Sequence, residues 1–255
     1  MSTRSDDALI ALRKIQRMTE LASKRLAQTA GITPSQMTVL RMLDEQGEPI
    51  SPIHFLDLAK KIRLYRTLTR RMVDLALERF EGQPWSFSLN LSCEDLLDPE
   101  LTDHILDSIA TRNMGRQVIF EILESEGIEN YSAVRQFIDR AKALGCRIAI
   151  DDFGTGYSNF EHLLRLDVDL IKIDGSLIRQ LDSNPTALTL CRGIVQFAQE
   201  LSMQTVAEFV HNPAVLNQAR ALGIQHAQGA AIGMPSASLI TEIRVLDADK
   251  PSASS

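Results

Sequence analysis

The stretch Arg147-Ile148-Ala149-Ile150-Asp151-Asp152-Phe153-Gly154 decides how this chain is read. A short, β-rich apolar run ends in two adjacent carboxylates and a glycine, the form of a strand that delivers polar side chains to a turn. The same form recurs on either side of it, at Trp85–Leu91, Gln117–Leu123, Leu170–Asp174 and Thr205–Val210. Helical spacing fills the gaps. Val134, Phe137, Ile138 and Ala141 share one face of a helix predicted over Ser132–Leu144, and Leu188, Cys191, Ile194, Val195 and Ala198 one face of a second over Pro185–Leu201. A third helix is expected after Asn212-Pro213, a cap followed by proline at the first helical position. Strand then helix, repeated over about 190 residues, predicts parallel βαβ units and favours a (β/α) barrel, with an open doubly wound sheet as the alternative.

Upstream, the pattern changes. Between Asp7 and Ala30 the residues Leu9, Leu12, Ile15, Met18, Leu21, Ala22 and Leu26 recur at helical spacing, with Lys and Arg opposite, which predicts one long amphipathic helix. Gly31 ends it. Thr33-Pro34-Ser35-Gln36 then resembles a capping box that opens a second helix reaching about Glu45. The expected organisation is a helical arm over 1–45, a barrel domain over 46–240 and a C-terminal tail over 241–255, with Pro251 to Ser255 of disordered composition.

The composition, 44% hydrophobic and 24% charged over 255 residues, is that of an ordinary globular protein. A net charge of −6 argues against a broad nucleic-acid footprint, so no DNA partner is expected. Cys93, Cys146 and Cys191 are widely spaced and odd in number, which fits a reduced, cytoplasmic setting. No apolar run approaches the roughly 20 residues that a membrane crossing needs.

In a parallel barrel, function collects at the C-terminal ends of the strands. There the sequence places Asn90, which alternation turns away from the helices together with Ser86, Ser88 and Ser92. It also places Glu121 and Glu124 at the end of the second strand, Asp151 and Asp152 at the end of the third, Lys172 and Asp174 on one face of the fourth, and Glu208 in the fifth. Each acid alone could simply cap a helix or pair with an arginine. Together they could not stay buried as bare negative charge, because desolvation and mutual repulsion would force protonation. Divalent cations are the natural compensation, and oxygen-only ligands favour hard ions such as Mg²⁺ or Mn²⁺. Two such ions could activate water for in-line attack on a phosphodiester.

The string Asp151-Asp152-Phe153-Gly154-Thr155-Gly156-Tyr157-Ser158 closely resembles the DDFGTGYS motif of EAL-type cyclic di-GMP phosphodiesterases. In family order around it stand Ser88-Leu89-Asn90-Leu91-Ser92, Glu121-Ile122-Leu123-Glu124-Ser125, Leu170-Ile171-Lys172-Ile173-Asp174, Val206-Ala207-Glu208-Phe209-Val210 and Gln228-Gly229. The resemblance spans about Met42 to Ser238. It implies a TIM-like barrel acting on cyclic di-GMP. By position, Asn90, Glu121, Asp151 and Glu208 resemble the metal ligands, with Asp152 beside them at the second ion. Lys172 resembles the lysine that helps hold the attacking water, Glu124 the acid that steadies the loop after the aspartate pair, and Gln228, with Asp174, residues at the substrate site. The resemblance also implies homodimer contacts through the segment after Asp152, and the helical arm could add to them.

The sequence departs from that family at its start. Aligned on Arg41, Met37-Thr38-Val39 stands where the Glu-Ala-Leu tripeptide belongs, and methionine is a poor ligand for Mg²⁺. The family's preceding strand is missing as well, which predicts a barrel modified at its N-terminal strands. Late departures are His211 in place of a second glutamate, Ala230-Ala231 in place of bulky aromatics and Met234 in place of a lysine. Residues 8–45 instead resemble the opening helices of MarR-family transcription regulators, without their winged helix. The expected function is a degenerate EAL domain that binds cyclic di-GMP, or a protein partner, with hydrolysis to pGpG severely impaired. The alternatives are an active metal-dependent phosphodiesterase, in which Glu45 or Glu48 substitutes, and a MarR-like dimeric regulator or interaction module.

Overall fold

The computed structural model describes residues 59–60, 65–123, 131–154, 163 and 165–233. The helical arm, Met37, Glu124, the segment after Gly154 and the C-terminal tail lie outside the described residues. The chain divides into two compact units, Met1–Leu75 and Ala76–Ser255. Helix α1 is Tyr65–Phe80; in the first unit its Thr69 hydroxyl donates to the carbonyl of Tyr65 at 3.3 Å.

The second unit is built on one parallel sheet. Its strands are β1 (Phe87–Leu91), β2 (Val118–Leu123), β3 (Arg147–Phe153), β4 (Leu170–Ile173), β5 (Gln204–Ala207) and β6 (His226–Ala227). They pair in sequence order, each parallel to the next. Parallel neighbours need crossovers, and helices α2 (Cys93–Leu96), α3 (Pro99–Arg112), α4 (Tyr131–Ala143), α5 (Gly175–Ile178), α6 (Pro185–Glu200) and α7 (Pro213–Ala221) lie in them. The sheet curls as part of a TIM-like barrel.

Alternation along the strands separates two environments. Val118, Phe120, Ile122, Ile148, Ile150, Ile171 and Ile173 are buried on the helix side. Phe120 meets Phe137 of α4 edge-on at 5.1 Å. α4 buries the four residues expected of it, Val134, Phe137, Ile138 and Ala141. The other face curls around a cavity of 380 Å³, to which every strand contributes: Ser88, Ile119, Ala149, Leu170, Val206 and His226 are among its lining.

Three helices start alike. Asp98, Asn184 and Asn212 each accept a backbone N–H of the first turn, at 3.1, 2.9 and 2.8 Å, with proline following in each case. Such a cap typically stabilises a helix by about 1 kcal/mol. Asp98-Pro99 is the same signal as Asn212-Pro213, yet α3 is absent from the sequence reading, as are α1 and β6. At two residues, β6 is too short to carry a period.

Strand ends differ from expectation for identifiable reasons. β4 stops at Ile173 because Asp174 turns to cap α5, accepting from the amide of Ser176 at 2.7 Å. β5 stops at Ala207, so Glu208 and Val210 lie beyond the strand, where Phe209 adopts φ 51°. β1 begins two residues late, after the carboxamide of Gln117 has donated to the carbonyl of Trp85 at 3.3 Å.

Candidate active site

Consecutive residues on a strand point to opposite faces, so Asp151 and Asp152 should part company. A bulge prevents this. β3 pairs Ile150 with Ile171 and Phe153 with Ile173, placing one extra residue opposite Lys172. Asp152 absorbs it with φ 57°, a left-handed conformation that aspartate tolerates better than most residues. Both carboxylates thereby reach the inner face. Oxygens of Asp151, Asp152 and Glu208 all lie within 4.8 Å of one another.

At the centre stands Lys172. Its Nζ donates to Glu121 Oε2 at 2.8 Å and Asp151 Oδ1 at 2.7 Å, and lies 2.9 Å from Glu208 Oε1. Lys172 is 4% exposed and Glu208 3%. Burial acts to lower the lysine's pKa, but the hydrogen bonds it donates to Asp151 and Glu121, the Glu121 charge and the Glu208 contact outweigh it and hold it above the ordinary value. One ammonium cannot neutralise three carboxylates. Burial, with the negative charge of Asp151, accordingly pushes Glu208 up to about 7 against the opposing pull of Lys172. Asp152 is raised as well, by burial and then by the charges of Asp151 and Asp174. Asp174 moves the other way: hydrogen bonds from Ser176 and the amide of Gly175 overcome its desolvation.

Glu121, Asp151, Asp152, Lys172 and Glu208 are thus brought together. Gln228 joins them, its carboxamide donating to Glu208 Oε1 at 2.5 Å. Asn90 is exposed on the inner face, in register with Glu121 across the β1–β2 pair. Asp174 sits at the rim and is engaged in capping α5. Glu124 falls outside the described residues. Two features escaped the sequence reading. Phe209 follows Glu208 and lies half exposed beneath the guanidinium of Arg179, and Gly229 lets the chain after Gln228 touch the backbone of Val210, where a Cβ would come within 2.4 Å of its amide and carbonyl.

The sequence profile of the EAL domain matches residues 29–235. The chain belongs to the EAL domain family. It is 33% identical over 203 residues to the cyclic di-GMP phosphodiesterase PdeF of Escherichia coli, covering 77% of this chain and 27% of that protein. The chain therefore spans about a quarter of the length of that curated relative. Among solved structures, the EAL domain of Xanthomonas citri FimX in complex with c-diGMP superposes with a TM-score of 0.72 at 22% identity, over 79% of this chain and 82% of that one. The PaMucR phosphodiesterase in its c-di-GMP complex gives 0.69 at 29% identity, over 75% and 80%. The first likeness speaks for the fold alone. The EAL match begins at residue 29, upstream of the Met42 suggested by motifs, so it includes Met37-Thr38-Val39.

Proposed function

We propose that this EAL domain binds cyclic di-GMP at the Lys172 centre and hydrolyses it to pGpG severely more slowly than a member with an intact tripeptide. The observation that carries the reading is a nearly complete acidic centre, Glu121, Asp151, Asp152 and Glu208 around Lys172, in a chain with Met37 where the family's glutamate belongs.

The donor set fits Mg²⁺ or Mn²⁺. It is oxygen throughout, carboxylates with the one carboxamide of Asn90, crowded enough to raise two of its own acids, and compensated by one amine. Asp151, Asp152, Glu208, Glu121 and Asn90 would hold the ions, two in the full form of the site. A bound divalent ion supplies neutralisation of phosphodiester charge and acidification of water in the site. The chain's own residues do the rest. Lys172 presents donors at the point where the carboxylates converge and orients a water nucleophile. Gln228 fixes Glu208 and offers its remaining polar atoms to the substrate. By its place in the family's motif, Glu124 would steady the loop after the aspartate pair, and Asp174 would line the substrate side. A missing ligand costs rate because the ions must be held accurately, and about a hundredfold corresponds to losing roughly 3 kcal/mol of transition-state stabilisation.

Homodimerisation through the segment after Asp152 and the helical arm belongs to the same proposal. No described helix is long and apolar enough to cross a membrane. A second reading, the active phosphodiesterase, is favoured by the closeness of Lys172 to three carboxylates. The experiment that separates them incubates the purified chain with cyclic di-GMP and Mg²⁺ or Mn²⁺, following binding by calorimetry and pGpG by chromatography. Binding with little product supports the proposal; absence of binding with every metal overturns it.

A further inference from the structure

Glu208 stands beyond the end of β5, and its amide reaches the carbonyl of Ile173 at 3.3 Å, longer than an ordinary ladder bond. Its carboxylate is held by Lys172 and by the carboxamide of Gln228, which in turn lies beyond β6, a strand of two residues. The backbone of Gln228 is gripped twice by the segment that carries Glu208. Its amide donates to the carbonyl of Ala207 at 2.9 Å, and its carbonyl accepts from the amide of Val210 at 3.0 Å. A third bond, from the amide of Ala231 to the carbonyl of Val210 at 3.0 Å, completes a clasp between the two segments. Gly229 stands inside it. At φ 143° it takes a conformation that favours glycine, and a Cβ there would come within 2.4 Å of both the amide nitrogen and the carbonyl oxygen of Val210. These are backbone atoms of a buried residue and cannot rotate aside.

Resting on the divalent-ion reading above, we propose that Gly229 is a positioning residue for the acidic centre: the clasp it permits seats Gln228 on Glu208 and so aims that carboxylate at an ion shared with Asp151 and Asp152. The contacts on Glu208 carry the step from backbone to ligand. Gln228 donates to Oε1 at 2.5 Å, and Lys172 Nζ lies 2.9 Å from the same oxygen. Among the described residues none bonds Oε2, so the two contacts together turn Oε2 toward the ion. Magnitudes decide whether the glycine matters. An alanine would have to part the two segments by roughly 1 Å to reach an ordinary contact distance, whereas a ligand set must be held within about 0.5 Å of its working geometry. Partners behind a ligating carboxylate are worth about 10–100-fold in metal affinity, and Gln228 is such a partner only while the clasp is closed.

The test measures Mn²⁺ binding to the whole chain by calorimetry, with a melting temperature recorded for each variant. Gly229→Ala is expected to weaken Mn²⁺ by about tenfold or more. Gln228→Ala, which leaves the backbone bonds of the clasp in place, should weaken it by a similar factor. The double variant should bind no worse than either, because both changes act through one contact. A Gly229→Ala that melts lower yet binds Mn²⁺ within twofold of the wild type would reduce the glycine to a structural part and overturn the proposal. Losses that multiply in the double variant overturn it too, as does a Gln228→Ala that binds within twofold. Should Gly229→Ala fail to fold, Ala231→Pro, which removes one bond of the clasp and adds nothing at 229, takes its place under the same criteria. If the wild type binds no Mn²⁺, the divalent-ion reading fails and takes the positioning role with it.

Discussion

Lys172 is the residue on which the site's electrostatics turn. Its Nζ lies within 2.9 Å of carboxylate oxygens of Glu121, Asp151 and Glu208, with both partners of each pair largely withdrawn from water. Removing one partner of a buried pair leaves charge uncompensated, at a cost of about 3–5 kcal/mol. Lys172→Met is therefore expected to lower stability in urea by about that amount in EDTA, and added Mn²⁺ should restore part of it. Glu208 gives a second expectation. Its folded pKa, about 7, lies above the ordinary 4.5, so folding favours the protonated acid. Its favourable contribution is complete below pH 4.5 and is lost as pH rises to 7, beyond which the loss is constant. Asp152 is raised and adds in the same sense. Thermal melts in EDTA should thus fall between pH 5 and 7.5, and Glu208→Gln should flatten the curve. A melting temperature that rises over this range in the wild type would contradict the assignment.

At the scale of elements, two turns interlock. The start of α5 and the chain leaving β5 meet where Phe209 rests on Gly175, and no Cβ can be added there without moving the ring. Gly175→Ala should cost about 1–3 kcal/mol, as overpacking does, with the cost shrinking in a Phe209→Ala background. Equal costs in both backgrounds, measured by denaturant titration, would show that the contact is unimportant. These turns also mark where the sequence ceased to be legible. The inner and outer faces of β1 to β4 follow from alternation, and α4 and α6 from helical spacing, because burial on one side imposes a period. The bulge at Asp152 imposes none. Two adjacent acids read the same whether they diverge or converge, and only the pairing of β3 with β4 reveals the extra residue. Phe209 likewise shows no sign in sequence of its left-handed backbone.

For the whole molecule, the arrangement of Glu121, Asp151, Lys172 and Glu208 was legible because a parallel barrel delivers strand ends to one place, whatever the helices contribute. Asn90 followed by the same logic, and Gln228 by motif order. What strand order cannot convey is the closeness of approach: Lys172 touching three carboxylates and Gln228 bonding Glu208 depend on curl and register. The proposed function turns on slow hydrolysis at this centre, in a chain whose sequence has Met37 where the family's tripeptide has glutamate. Its most direct test is the metal-dependent rate of pGpG formation from cyclic di-GMP at saturating Mg²⁺ or Mn²⁺, compared with an EAL domain carrying an intact tripeptide. The expected result is a rate at least about a hundredfold lower, with cyclic di-GMP binding still measurable. A rate typical of the intact domain, abolished by Asp151→Asn, would contradict it.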